Sequence, residues 1–382
     1  MKKKKNKILI AILVILFLII GLIGGAYLYV RNSLKPTKAF LNGEICEEGK
    51  SPCETTVFVV DEGAYGRSTL DKLEAEGIIR NAGAAYYYNR IFTGYSFVAG
   101  YFEIPHKVTD ASGNTRDITL EEIMAFLSDP ANAHQDTVTL SFDEGGYIKD
   151  YARIIGENTT VSEEEIFAYW NDESVIRSYM REYPFLTEEI FDPDVRYYLE
   201  GYLFPDTYEF FEFSTCDEIT RKFLDRTMEI YSEYEDDFDS SPFTVNEVFT
   251  LASIVQGETG NSSDATLVSG VFVDRYNAPE VLASSVTSCY AFELTAEECY
   301  SFGESTDYTW QDHPYNTYTN QGLPPGPVCA PSKISIYAAL HPDTTEGYFF
   351  FCADLCNGGT VFARTAEEHA YNIEHYYLAC MD

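Results

Sequence analysis

Between Ile8 and Val30 the chain runs 23 residues without a charge. A helix of that length covers the hydrocarbon core of a bilayer, roughly 30 Å at about 1.5 Å per residue. Lys2 to Lys5 and Lys7 precede the run, and basic flanks stay on the cytoplasmic side. A cleaved secretory signal is the competing reading. Its apolar core would be about 7–15 residues long with a small-residue exit, and neither feature is clear here. The expectation is a retained single-pass anchor in the cell membrane. Residues 1–38 form the basic tip and anchor and 39–54 a tether, and everything after Arg31 is expected outside the cytoplasm.

The charge distribution agrees with that division. The formal net charge is -35, yet the first 38 residues hold eight bases and no acid, which leaves 18 bases against 61 acids for the rest. A domain that acidic repels polyphosphate, so nucleic acid is not an expected partner. Thirty Tyr and 26 Phe supply material for a large core, and disorder is excluded.

The stretch Thr250-Leu-Ala-Ser-Ile-Val-Gln-Gly-Glu-Thr-Gly260 carries the clearest chemical signal. Thr244-Val-Asn-Glu247 reads as a capping box that starts a helix, and Gly260 as its stop. At about 100° per residue, Val248, Leu251, Ala252, Ile254 and Val255 fill one apolar arc, and Glu258 falls inside it. A carboxyl group in apolar surroundings has a raised pKa and can hold a proton near neutrality, as a general acid must. Gly257 just before it is a poor helix former and is expected to loosen the last turn.

Elsewhere the pattern alternates strands and helices, which makes the fold class α+β. Strands are expected at 55–60, 101–104 and 138–142, and helices at 68–76, 82–92, 120–126 and to about 155. Asp61-Glu-Gly-Ala-Tyr65 and Asp143-Glu-Gly-Gly-Tyr147 suggest two related βα units, or ordinary turn chemistry. Residues 162–234 read as helical and acidic, interrupted at 199–208. After a helix at 264–276 comes an irregular region, then helix 332–340, strands 348–352 and 360–363, and helix 366–377. All nine cysteines follow the apolar run, where disulfides are permitted. Cys46 with Cys53 and Cys352 with Cys356 are expected to close short loops, and the odd count leaves at least one thiol over. No phosphate-loop, dinucleotide, nucleophile-elbow or HExxH motif occurs, and no metal or cofactor is expected. His313 and His341 sit near polar loops, with structural roles expected.

Five ordered motifs then carry a resemblance: Leu199-Glu-Gly-Tyr-Leu-Phe-Pro-Asp-Thr-Tyr208, Leu251 to Gly260, Val271-Phe-Val-Asp-Arg275, Tyr315-Asn-Thr-Tyr318 and Gly322-Leu-Pro-Pro-Gly326. The chain resembles the endolytic murein transglycosylases (the MltG/YceG-like family) over about residues 55 to 375. That resemblance implies an N-terminal transmembrane helix, a small LysM-like α/β subdomain at 55–158 and a mixed α+β catalytic domain at 159–382. It implies cleavage of the MurNAc-β-1,4-GlcNAc bond of nascent peptidoglycan with 1,6-anhydro ends, one Glu serving as acid and then base. A pattern like I-V-E-K-E-T places that Glu at Glu258, with Gln256 and Gly257 where the pattern has Glu and Lys. A pattern like S-D-P-T-V reads Ser284-Ser-Val-Thr-Ser288. Tyr315, Asn316, Thr317, Tyr318, Gln321 and Pro325 become expected substrate-binding residues, and glycan strands and peptidoglycan synthases the expected partners. Two alternatives stay open: a non-catalytic peptidoglycan-binding protein, and a hydrolase with Asp264 as second carboxylate.

Overall fold

The computed structural model describes residues 31–45, 52–61, 63–64, 66–109, 113–134, 137–259, 262–294, 299 and 312–380. The apolar run 8–30 lies outside them; among the described residues no helix is long and apolar enough to cross a membrane. Glu62 and Tyr65 of the first D-E-G-x-Y copy also fall outside, as does Gly260. The chain divides into two compact units, Met1–Asp136 and Thr137–Asp382.

In the first unit β1 (Thr55–Val60) pairs antiparallel with β2 (Gly100–Pro105), from Thr55 opposite Pro105 to Val60 opposite Gly100. Two helices, α1 (Gly66–Ala75) and α2 (Ala82–Tyr88), lie between the strands in sequence. Gly77 ends the first at φ +75°, a conformation that suits glycine. Period-two alternation puts Phe58 and Val60 of β1 with Phe102 and Ile104 of β2 in one core. Leu70 and Leu73 of α1 close it, with Ile123 and Met124 of α3 (Leu120–Phe126). Helix α3 starts on the expected Thr119–Glu122 capping box. A small hairpin, β3 (Lys107–Thr109) with β4 (Thr115–Asp117), precedes it.

The second unit begins earlier than expected. Strand β5 (Thr137–Ser141) pairs antiparallel with β6 (Thr207–Phe211), and this long-range pairing takes residues 137–158 into the second unit rather than the first. The strand at 207–211 begins in the expected interruption at 199–208 and replaces the helical reading of 209–211. Helices α4 (Ile148–Asn158), α5 (Glu163–Tyr169), α6 (Glu173–Tyr179) and α7 (Cys216–Glu233) enclose an aromatic cluster. Phe142 meets Tyr208 and Phe223 edge to face, and Trp170 donates to Thr220 Oγ1 at 2.9 Å.

The short helix α8 (Glu235–Ser240) leads to α9 (Val245–Glu258), which is the centre of this unit. Its capping box, Thr244 with Glu247, is present as expected. The single apolar arc is not: Val248 through Val255 are all buried, Thr250 and Ser253 included. A helix covered all round is a core helix. The two hydroxyls donate to Asn246 O and Thr250 O at 2.7 Å each, which satisfies them without a partner helix. Around α9 pack α10 (Ala265–Asn277), α11 (Ser285–Ala291) and α12 (Lys333–Leu340). The last described elements are the hairpin β7 (Phe350–Ala353) and β8 (Thr360–Ala363), then α13 (Ala366–Asn372), a π turn at Ile373–Tyr377 and a 3-10 turn at Leu378–Cys380.

The expected Cys352–Cys356 loop is corrected. Cys356 pairs with Cys380, Cys289 with Cys299, and Cys216, Cys329 and Cys352 are thiols. Cys352 lies in β7, where its side chain direction is set by the strand pleat, and Cys356 lies in the turn that Asp354 closes by accepting from its N–H at 3.0 Å. Cys53 is disulfide-bonded, and Cys46 lies outside the described residues.

Candidate active site

Helix α9 delivers Glu258 as its last residue. Thr259 leaves the helix in an extended conformation and returns its N–H and hydroxyl to Val255 O, at 3.0 and 2.9 Å. Glu258 keeps a little solvent exposure as a residue, while its carboxyl group is closely surrounded by protein. Burial pushes its pKa above the ordinary carboxylate range; a hydrogen bond from Ser284 and the charge of Arg275 pull the other way.

Ser284 is the main polar contact. Its hydroxyl donates to Glu258 Oε1 at 2.6 Å, and the residue is itself buried. Ala283 before it has φ +53°, a strained conformation for a residue with a side chain. The neighbouring segment holds that turn. Ala283 N–H donates to Thr317 O at 2.9 Å and Ser284 N–H to Thr317 Oγ1 at 3.0 Å. Ser284→Ala removes a hydrogen bond that lowers the pKa of Glu258. The alkaline limb of the kcat/KM–pH profile is therefore expected to move to higher pH, with kcat down roughly 10-fold. A limb that stays in place while kcat falls would assign Ser284 to packing alone.

Gly257 does not loosen the helix, which continues through Glu258. Its role is close approach: a Cβ there would lie 2.5 Å from Val286 Cγ1, on the first turn of α11. Two of the departures from the family patterns, Gly257 and Val286, thus approach each other one residue before Glu258. Gly257→Ala gains about 1 kcal/mol of helix propensity against an overpacking cost of about 1–3 kcal/mol. A net loss of about 1 kcal/mol in thermal unfolding is expected, reversed when Val286→Ala is added. Gln256 faces elsewhere. Its Oε1 accepts from Ser332 N–H at 3.0 Å and Ser335 Oγ at 2.8 Å, which ties α9 to the start of α12.

The expected substrate residues divide into three groups. Tyr315, Asn316 and Thr317 are buried, at 1%, 0% and 1% exposure, with their polar atoms used internally. Asn316 Oδ1 accepts from Ser288 Oγ at 3.1 Å and Tyr318 N–H at 3.0 Å, and Tyr315 OH from Arg196 N–H at 3.3 Å. They support the Ser284 turn rather than face a ligand. Tyr318 is half-buried, and burial, then the nearby charge of Glu258, pushes its pKa up to about 12. Gln321 and Pro325 are elsewhere: they line a cavity of about 670 Å³ with Asn246 and Glu247. Glu247 and Glu258 stand at opposite ends of α9, about 16 Å apart along its axis.

Two residues beside the carboxyl group escaped sequence reasoning, Ser284 and Arg275. Arg275 lies in the Val271–Arg275 motif, and the signal for it was its position one residue after an acid in an otherwise apolar helix. Its guanidinium donates to Phe349 O at 2.8 Å and Leu282 O at 2.6 Å, stands 5.0 Å from the Phe350 ring centre, and has no carboxylate ion-pair partner among the described residues. It is thus a held cation within electrostatic reach of both Glu258 and Tyr318. Asp264 stands at the start of α10 and accepts from Ser263 Oγ at 3.2 Å. His313 Nδ1 accepts Tyr315 N–H at 3.1 Å, the structural role expected of it. Among the described residues no group of acids, His and Cys could hold a metal ion.

The second unit is an α+β body built around one buried helix that ends in a single carboxyl group. The chain belongs to the YceG-like family, whose model matches residues 58–375. It is similar to the endolytic murein transglycosylase of Bacillus subtilis strain 168, with 28% identity over 363 residues, 93% of this chain and 91% of that protein. It is also similar to the endolytic murein transglycosylase of Streptococcus pneumoniae serotype 2 strain D39, at 29% identity over 359 residues and 92% of this chain. The match spans only 61% of that pneumococcal protein. In fold it matches the crystal structure of a YceG-like protein from Listeria monocytogenes, with TM-score 0.56 and 24% identity over 83% of this chain and 99% of that one.

Proposed function

We propose that the chain is a membrane-anchored endolytic peptidoglycan lytic transglycosylase, with Glu258 as its catalytic residue. The observation that carries the reading is the Glu258 carboxyl group itself. It is buried with a raised pKa, held at one oxygen by Ser284 and close to the Arg275 charge. Membership of the YceG-like family and the names of the two curated relatives support the same reaction.

Ser284 donates to Oε1, so the acidic proton resides on Oε2. From there it passes to the glycosidic oxygen as the bond from the muramyl C1 breaks. The resulting carboxylate, stabilised by the Arg275 charge, takes the proton of the muramyl C6 hydroxyl as that oxygen bonds to C1. The 1,6-anhydro ring closes, no water is consumed and Glu258 is again protonated. One carboxyl group is adequate for this cycle, unlike the carboxylate pair of ordinary glycoside hydrolysis. Tyr318 is the proposed substrate contact nearest the acid, and Gln321 and Pro325 would meet a more distant part of the glycan strand.

The apolar run 8–30 supplies the anchor, with the acidic remainder on the outer face beside the peptidoglycan synthases. The strand–helix–helix–strand order of β1, α1, α2 and β2 supports a LysM-like first unit. Mass spectrometry of uncrosslinked glycan strands incubated with the full-length chain is expected to show 1,6-anhydromuramyl ends. Reducing ends would mean a hydrolase, and uncut strands a binding protein.

A further inference from the structure

The first unit contains a cavity of about 980 Å³ whose lining differs in charge from the rest of the protein. Arg31, Lys35, Lys38 and Arg80 line it. Arg80 donates to Pro36 O at 3.1 Å and Asn32 Oδ1 at 3.0 Å, both uncharged acceptors. Eleven other lysines and arginines among the described residues are ion-paired with carboxylates. None of these four is, among the described residues. In a chain with 61 acids to 26 bases, four unpaired cations around one cavity are a concentration of positive charge that no internal ion pair accounts for.

The rest of the lining narrows the ligand. Leu34, Leu41 and Leu120 give the cavity an apolar side. Asp117 and Glu121 also line it, and Glu121 is occupied in accepting from Tyr88 OH at 2.7 Å. A phosphate with attached methylenes satisfies both kinds of wall, whereas a free anion uses only the cations. Location narrows it further. Arg31 follows directly on the last residue of the apolar run 8–30, so the cavity opens where the chain would leave the bilayer. Cations close to a membrane surface attract anionic headgroups, at roughly 1 kcal/mol each.

We propose that this cavity binds the headgroup of an anionic phospholipid of the outer leaflet, with the phosphate among the four cations and the first acyl methylenes against the leucines. The proposal rests on the anchor reading for the lipid's source, but not for the chemistry of the cavity. Bound lipid would hold the first unit against a surface that the acidic remainder of the chain otherwise avoids.

The test titrates short-chain phosphatidylglycerol onto the full-length chain in neutral detergent by calorimetry, with short-chain phosphatidylcholine and inorganic phosphate as separate arms. One saturable phosphatidylglycerol site is expected, weakened by salt. Arg31→Gln/Lys35→Gln/Lys38→Gln changes three exposed side chains and is expected to weaken it roughly 100-fold. The control Arg90→Gln/Lys107→Gln, on the same unit but outside the cavity, leaves it unchanged. Equal binding of phosphatidylcholine, equal binding of inorganic phosphate, or an equal loss in the control overturns the proposal. Alkaline carbonate extraction of membranes reads the anchor separately: release of the chain goes against the anchor and leaves the titration to decide the cavity.

Discussion

Glu258→Gln is expected to fold normally and to lose glycan cleavage by about 10⁴-fold or more. General acid–base catalysis is worth about 10²–10⁴ when one group assists one proton transfer, and in the proposed cycle the same carboxyl group serves both halves. The amide has the shape of the neutral acid, and its oxygen can still accept the Ser284 hydroxyl now 2.6 Å from Oε1. The amide has no charge for burial to disfavour, so the thermal midpoint is expected to stay level or rise. Glu258→Asp separates reach from acidity: it keeps a carboxyl group but withdraws it by one methylene, and a displacement near 1 Å costs about 100-fold. Rates are read from anhydromuramyl ends released per unit time. Cleavage by Glu258→Gln at the wild-type rate would remove Glu258 from the mechanism and direct attention to Tyr318 or Asp264.

Features encoded within a few residues were readable before the fold was known. The capping boxes at Thr119–Glu122 and Thr244–Glu247 are local hydrogen-bond solutions, and both are present. So is strand 55–60, whose β-branched run fits a pleated surface. What stayed hidden depends on partners far along the chain. Strand β6 is five residues in an aromatic-rich stretch, and Thr207 finds its partner in Ser141. Helix α11, Ser-Val-Thr-Ser-Cys-Tyr-Ala, has little helix propensity in every residue but its last, and tertiary packing imposes it.

The candidate site divides along the same line. Glu258 was legible because its acid stands at the end of an apolar helix. Its setting was not, because the Ser284 donor, the Val286 contact on Gly257 and the Thr317 brace all come from outside that helix. Motif position drew Tyr315, Asn316 and Thr317 in as ligand contacts, yet burial makes them a scaffold for the turn that holds the acid. The covering of α9 on all sides has the same origin: periodicity reports apolar positions, and the buried Thr250 and Ser253 satisfy themselves on their own helix.

A second buried carboxyl group, Glu200, is expected to make the stability of the fold fall between about pH 5 and pH 8. Its Oε1 accepts the Ile148 N–H at 3.0 Å where α4 starts, and its Oε2 has no partner among the described residues. Burial is the main cause that pushes its pKa up to about 8 from the ordinary 4.5, and the Ile148 hydrogen bond opposes it. Below the lower value the group is protonated in both the folded and unfolded states, so it adds no pH dependence. Between the two values the unfolded chain releases a proton that the folded chain retains, and stability declines by about 1.4 kcal/mol per pH unit. The whole window amounts to roughly 4–5 kcal/mol, and above it the cost is constant. Glu200→Gln keeps an acceptor for Ile148 and carries no proton to release. The difference in unfolding free energy between variant and wild type is therefore expected to be small at pH 5 and to grow by several kcal/mol, in favour of the variant, by pH 8. Any other group that titrates in that range is common to both proteins and cancels in the difference. Tyr290 of α11, the helix whose N-cap is Ser284, lies within electrostatic reach of Glu200, so ionisation of Glu200 would be felt at the support of the proposed catalytic acid as well. Denaturant titrations of the two proteins from pH 5 to pH 9 decide it: parallel curves would mean that Glu200 ionises in the folded protein as readily as in the unfolded chain.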